Sequence, residues 1–436
     1  MIPSRRWLRV AMGLALVGLL GLLVPGAWRM LLVADGVWLL ALWWDWRRSP
    51  VASALMVTRQ APGTWSVGRP LPLVHVWRAR VDAPVTLRVR ETWPAPLAAL
   101  ASPIRTLEIP PGGSAREEVT LIPPRRGVGS GGRLDLQLGG PWGLAWRRGR
   151  LEEPWALTIL PNLSLAGVRG LPASQRRREA GQRQLRRPGE GRLFEGLREW
   201  VPGDDTRNID WKATARRAKP IVRQYEDERR QPVLLALDAG RLMVAESGGV
   251  SRFESAVTAA VRLAHAAVER DDDVGLLVFD DGIRVSVPPS RGREGLRRIL
   301  FALAGVEPRL VEPDYPAAFR ELAARNRRRA LTVIFTDVID ARASDALVGQ
   351  AVGLRPRHVP VAVTMRDPAI ELAATARATT PQAAYERAAA EAMLGARAEA
   401  LDAMRRGGVV VVDVSPAGAA EAIVREYEQL KRRGVV

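Results

Sequence analysis

The chain has 436 residues, too many for one ordinary domain and enough for two or three separate cores. It holds no cysteine, which excludes disulfides, thiolate metal sites and cysteine nucleophiles. Its three histidines, His75, His265 and His358, have no histidine neighbour at helical or loop spacing, a poor start for zinc hydrolysis or a Ser-His-Asp triad. With 65 lysines and arginines against 47 aspartates and glutamates the formal net charge is +18, which attracts acidic partners without choosing among anionic lipid, nucleic acid and protein.

The first fifty residues differ from the rest. Leu8 to Val24 and Met30 to Trp44 are apolar runs separated by Pro25-Gly26, each slightly shorter than the ~20 residues that cross a bilayer, with Trp7, Trp28, Trp43, Trp44 and Trp46 at their flanks. They predict a transmembrane helical hairpin over residues 1–50 that contacts membrane lipids. Arg5, Arg6 and Arg9 before it and Arg47 and Arg48 after it place both outer ends in the cytoplasm. The localisation that follows is the cell inner membrane, with the soluble domains cytoplasmic. A cleaved signal peptide is the alternative, with Arg5 and Arg6 as its basic head. Asp35 falls near the turn, at the interface or paired with Arg29.

From 51 to 165 the pattern has period two. In "VTLRVRETW", Val85, Leu87 and Val89 alternate with Thr86, Arg88 and Arg90, and Leu134, Leu136 and Leu138 repeat the pattern. Turn clusters at Pro110 to Gly113 and Gly127 to Gly132 divide the strands, so a small antiparallel β-sandwich is expected. Residues 166–192 are arginine-rich without apolar periodicity and read as a basic linker. Its functional alternative is an arm for anionic polymers using Arg176 to Arg187, although no aromatic stands between Arg169 and Arg192 for base stacking.

Residues 193–230 hold the densest charge, in "LFEGLREWVPGDDTRNIDWKATARR" and "PIVRQYEDE". Pro202 to Asp205 form a turn, Asp205 or Thr206 caps a short helix, and Ile221, Arg223 and Tyr225 share one side of an extended stretch able to pair with a strand starting at Val233. Three readings compete. Asp204, Asp205 and Asp210 could ligate a metal for phosphodiester chemistry, with Arg207 or Lys212 stabilising developing charge. Arg207–Asp210 and Arg223–Glu226 could be ion pairs clamped around Trp211 and Trp200. The same charges around a central aromatic could instead form a docking face.

From 231 to 436 apolar strands alternate with helices. "PVLLALDAG", "VGLLVFDDGIRVSV", "ALTVIFTD", "VPVAVT" and "GVVVVDVS" are buried strands, and "FESAVTAAVRLAHAAVER" has helical periodicity, which specifies a mainly parallel, doubly wound α/β sheet covered on both faces. Ligands of such sheets sit outside the strands' carboxyl ends, where Asp238 and Asp337 fall. The metal-ion-dependent adhesion site of the von Willebrand factor A fold reads D-x-S-x-S at this place. Asp238-Ala239-Gly240-Arg241-Leu242 lacks both serines, so these are degenerate metal positions, with Asp238 paired to Arg241 or capping a turn. Asp271-Asp272-Asp273 reads as a solvated loop. No G-x-x-x-x-G-K-[ST] phosphate loop occurs.

"EGLREWVPGDDTRNIDWKATAR" followed by "VRQYEDE" resembles the signature of the bacterial family catalogued as domain of unknown function 58, and the order of modules and the tail from Tyr385 to Gly434 are similar as well. The resemblance implies an α/β fold of von Willebrand factor A type behind a β-sandwich and a membrane hairpin. It implies action beside a MoxR-type AAA+ ATPase and other proteins in assembly, maturation or stress response, with no enzymatic activity. It carries over to Asp204, Asp205, Arg207, Asp210, Trp211, Arg216, Arg223, Tyr225 and Glu226 as partner-binding residues. The expectation is a membrane-anchored, non-enzymatic interaction module without a cofactor or specific nucleic acid. The alternative is a metal-dependent hydrolase or nuclease using Asp204, Asp205 and Asp210, with Mg²⁺ as its ion.

Overall fold

The computed structural model describes residues 1–21, 27–61, 65–162, 193–201, 204, 206–217, 219–226, 231–326, 328–338 and 341–435. The basic linker expected at 166–192 lies outside them. The chain divides into two compact units, Met1–Asn162 with Leu303–Gly305, and Leu163–Ala302 with Val306–Val436.

The first unit is two facing sheets with two helices attached. Its strands are β1 (Ile2–Pro3), β2 (Leu55–Gln60), β3 (Trp65–Ser66), β4 (Leu71–Ala79), β5 (Val85–Thr92), β6 (Arg105–Ile109), β7 (Ser114–Leu121), β8 (Gly127–Gly139) and β9 (Ala145–Leu160). One sheet runs β1-β9-β8-β5-β6, with β3 parallel to the end of β9, and the other runs β2-β4-β7. Leu55, Trp77 and Ala79 of the smaller sheet share a core with Leu87, Val89, Leu134, Leu136 and Leu138 of the larger, the buried halves of the alternating runs. Burial of each leucine or valine among them stabilises the unit by about 1.5–3 kcal/mol. Glu91 follows Val85, Leu87 and Val89 onto the buried side of β5, where its carboxylate meets Arg59 at 3.1 Å, His75 at 3.1 Å and Arg105 at 3.3 Å. Burial pushes this carboxyl up, and the contacts with His75, Arg59 and Arg105 outweigh it and hold the group below the ordinary glutamate value.

The structure overturns the transmembrane hairpin. Two helices, α1 (Arg5–Gly21) and α2 (Ala27–Arg48), pack on each other, but no described helix is long and apolar enough to cross a membrane. Helix α1 has only 17 residues and begins with Arg5, Arg6 and Arg9; α2 has 22 but contains Arg29, Asp35, Asp45, Arg47 and Arg48. The last turn of α2 belongs to the β-unit. Asp45 is fully buried and accepts the backbone N–H groups of Trp142 at 2.7 Å, Leu144 at 2.7 Å and Ala145 at 2.8 Å. Trp44 stacks on Trp142 with centroids 4.1 Å apart, and Arg147 donates to the Trp46 carbonyl at 2.8 Å. Gly140 lies so close that a Cβ there would overlap Asp45.

In the second unit a two-stranded hairpin of β10 (Leu193–Glu199) and β11 (Ile221–Glu226) carries helix α3 (Trp211–Arg217) in its connection. The remaining elements are β12 (Pro232–Asp238), the short pair β13 (Glu246–Ser247) and β14 (Val250–Ser251), α4 (Arg252–Glu269), β15 (Asp273–Phe279), β16 (Ile283–Ser290), α5 (Gly292–Ala304), α6 (Tyr315–Arg325), β17 (Leu331–Phe335), α7 (Ala341–Gly353), β18 (Val359–Met365), α8 (Pro368–Thr375), α9 (Pro381–Arg406), β19 (Val410–Val414) and α10 (Ala419–Arg432). The sheet order is β16-β15-β12-β17-β18-β19, parallel throughout except for β16 at one edge. Every residue of β12, β17 and β18 is buried, the mark of a sheet covered on both faces. Leu234 and Ala236 pack with Phe319 of α6, Leu347 of α7 and Leu401 of α9, whereas α4 and α10 lie together over the face of Val233, Leu235 and Leu237.

The acidic triplet is solvated only in part: Asp271 is exposed, but its neighbour is not. Asp272 is fully buried and accepts from Tyr427 Oη at 2.6 Å, Lys431 Nζ at 2.7 Å and the Gln231 N–H at 3.3 Å, pinning α10 beside the start of β12. Burial and the Asp272 carboxylate push the Tyr427 hydroxyl far above the ordinary tyrosine value.

Candidate functional site

The charged segment folds on itself. Strand β11 pairs with β10, Leu197 facing Arg223 and Glu199 facing Ile221, and not with the strand starting at Val233 as the sequence suggested. Asp204 binds Arg198 through two bonds of 2.6 Å, accepts the Val201 N–H at 3.0 Å, and has its carboxyl drawn below the ordinary aspartate value by the Arg198 hydrogen bond and then by Val201. Asp210 is the N-cap of α3, accepting the Lys212 and Ala213 N–H groups at 3.0 Å each. Thr214 Oγ1 accepts the Ile221 N–H at 2.9 Å and ties α3 to β11.

These bonds come in addition to those of the expected clamp. Asp204 is bound by Arg198, six residues back across the turn, and Asp210 caps helix α3. Trp211 is not enclosed by ion pairs but is 71 % exposed at the start of α3, with Arg216 exposed in the last turn of that helix. Trp200 is half-buried and donates to the Asp204 carbonyl at 3.4 Å. Asp205, and the side chains of Arg207, Arg223, Tyr225 and Glu226, lie outside the described residues. Among the described residues no group of three or more His, Cys, Asp or Glu could hold a metal ion.

The second candidate lies at the carboxyl ends of the parallel strands. Asp238, fully buried at the end of β12, accepts the Gly240 N–H at 2.7 Å, Thr336 Oγ1 at 2.7 Å and Tyr315 Oη at 2.9 Å. Burial pushes its carboxyl up, and these bonds only partly oppose the shift; burial and the same carboxylate drive the Tyr315 hydroxyl well above its ordinary value. Of the two roles expected for Asp238, it caps the turn, while Arg241 binds Glu312 instead. A Cβ at Gly240 would stand 2.9 Å from the Val311 carbonyl, so the serine of an adhesion-site motif does not fit.

Asp337, at the end of β17, is held by guanidinium groups from both sides. Arg252 at the start of α4 reaches it and also Asp367, the latter at 2.7 Å. Arg397 of α9 reaches it together with the Val338 carbonyl and Asp413, the last at 2.9 Å. Burial alone would lower the Arg397 value, and Asp337 and Asp413 raise it. Sequence reasoning missed both partners because Arg252 and Arg397 are 85 and 60 residues distant from Asp337. Beside them lies a cavity of about 250 Å³ with Met365, Ile370, Met393 and Leu394 in its apolar wall and Arg241 and Arg366 in its lining.

A doubly wound α/β unit whose strand ends are clasped by arginine, joined to a self-contained charged hairpin, is the class of protein these features define. The model of the family described as "Protein of unknown function DUF58" matches residues 196–376, which cover most of the hairpin and much of that unit. The uncharacterized proteins Rv1480 of Mycobacterium tuberculosis (strain H37Rv) and Mb1516 of Mycobacterium bovis are each 28 % identical over 189 residues, 42 % of this chain and 55 % of theirs. The chain thus spans about half the length of these curated relatives. Among solved structures, the conserved hypothetical protein BatB of Bacteroides thetaiotaomicron is 16 % identical and covers 46 % of this chain and 99 % of its own, with a TM-score of 0.31.

Proposed function

We propose that the chain is a non-catalytic protein-interaction module that engages other proteins through residues 193–226 and the carboxyl edge of its parallel sheet. One observation carries this reading: Asp204 and Asp210 are neutralised or capped within the segment itself, while the indole of Trp211, next to Asp210 in the chain, stands 71 % exposed. An exposed aromatic in a segment whose acids are already satisfied has the form of an interface anchor, whereas a carboxylate already bound twice by arginine is a poor ligand for a metal. The sheet-edge cavity agrees with this, since about 250 Å³ falls below the roughly 300–1,000 Å³ of small-molecule sites and suits one or two side chains of a partner. The finer reading of the α/β unit as von Willebrand factor A-like rests on its strand order together with the sequence resemblance.

The partner that the resemblance supports is a MoxR-type AAA+ ATPase, in protein assembly, maturation or stress response. The test is calorimetric titration of the full chain with the MoxR-type ATPase of the same genome, nucleotide-free, with ADP and with a non-hydrolysable ATP analogue. Binding in at least one state is expected, weakened about 30-fold or more by Trp211→Ala, the loss of an interface hot spot. No binding in any nucleotide state overturns the ATPase assignment. Saturable heat on adding Mg²⁺ or Mn²⁺, abolished by Asp204→Asn, would replace the interaction reading with metal chemistry.

A further inference from the structure

The larger sheet of the first unit has an open face whose charges form a regular array. The register sets Arg88 of β5 beside Gln137 of β8 and Gln137 beside Arg148 of β9; one step along, Arg90 stands beside Asp135 and Asp135 beside Arg150. These residues line a basin of about 660 Å³, four arginines against one carboxylate, with Ile104 as its exposed apolar member. Glu108 and Glu152 lie outside the lining at positions beside it, Glu152 opposite Arg133.

Not all of this charge is compensated. Asp135 is shared by Arg150 and Arg133 at 3.4 Å each, and Arg88 rests over the ring of Trp146 at 4.2 Å. Arg90 and Arg148 are exposed, and neither has a carboxylate partner among the described residues. Positions two apart on a strand repeat every ~6.7 Å, and β5 and β9, with β8 between them, stand ~9.6 Å apart. The guanidinium groups therefore form two columns with the repeat of an extended polypeptide.

We propose that this basin binds an acidic polypeptide segment in extended conformation, with carboxylates at alternate positions facing the columns Arg88–Arg90 and Arg148–Arg150. Chain chemistry is selected by three features. The lining contains no aromatic ring on which a base could stack, Trp146 being buried beneath Arg88, which disfavours single-stranded nucleic acid. The two columns repeat at the ~6.7 Å spacing of alternate side chains in an extended polypeptide, a spacing a fluid headgroup surface does not hold. Ile104, 61 % exposed, offers apolar contact to a peptide side chain. The site uses none of residues 193–226 and no strand of the parallel sheet, so its failure and that of the proposed function are distinguishable.

The experiment is fluorescence anisotropy of a fluorescein-labelled decapeptide alternating glutamate and serine, titrated with the full chain. Saturable binding that weakens with salt is expected, with none for an all-serine peptide. Arg90→Glu with Arg148→Glu should raise Kd about tenfold or more, leaving the melting temperature unchanged because both side chains are exposed. The proposal is overturned if the wild-type chain does not bind the peptide or if the double variant binds it equally well. Tighter binding of oligo-thymidine or of phosphatidylglycerol vesicles, lost in the same variant, also overturns it.

Discussion

Replacing Asp45 tests whether the end of α2 is part of the β-unit. Its carboxylate is fully buried and receives three backbone N–H groups from the Trp142 to Ala145 turn. A hydrogen bond to a charged group contributes about 1.5–3 kcal/mol. Trp142 is 53 % exposed, so water can replace its bond, whereas the Ala145 amide is buried. Counting only the Leu144 and Ala145 bonds, near the lower end of that range, Asp45→Ala should cost about 3–4 kcal/mol. For a unit of this size that lowers the melting transition by about 10 °C. Asp45→Asn, whose oxygen can keep those two bonds while its amide opposes the Trp142 N–H, should cost about half as much. Near-UV circular dichroism of the full chain reads the transition, and hydrogen exchange at Trp142, Leu144 and Ala145 locates it. If Asp45→Ala melts with the wild type and those amides exchange no faster, the carboxylate does not hold the helix end.

Three further outcomes are expected. The native Glu91 carboxyl is depressed, so its stabilisation is complete above the unfolded value of about 4.3 and is lost as pH falls through the lower native value; the melting difference between wild type and Glu91→Gln should therefore shrink as pH falls from about 5 to about 3. The Asp204 carboxyl should titrate below the ordinary aspartate range by carbon-detected NMR and move upward in Arg198→Gln, because Arg198 supplies the largest stabilisation of its charged form. Tyr427→Phe removes a 2.6 Å bond to buried Asp272 but leaves Lys431 in place, so it should cost about 1–2 kcal/mol in urea unfolding and speed exchange at the end of α10.

Local pattern and long-range pairing were unequally visible in the sequence. Val85, Leu87 and Val89 announced their buried side by alternation, and the same parity puts Glu91 among them, a signal that an acid would be buried near cations. The apolar runs of β12, β17 and β18 marked a covered sheet because both faces of those strands require apolar side chains. The fate of α2 was hidden because hydropathy registers Leu and Trp but not that Asp45 finds backbone donors about 100 residues away. In the charged segment, sequence proximity did not reveal that the turn brings Arg198 back onto Asp204, or that Asp210 accepts the free amides at the start of α3. Asp272 was misread for the same reason, since its partners Tyr427 and Lys431 lie on the last helix.

The double grip on Asp337 has a mechanical consequence. Arg252 belongs to a helix on one face of the sheet and Arg397 to a helix on the other, so a single carboxylate buttons the two layers together across the strand ends. Its counter-charges are part of the polypeptide, and chelators or swings in cellular divalent ions leave the button fastened. A guest that competes for guanidinium, or a force that lifts α9, would undo it.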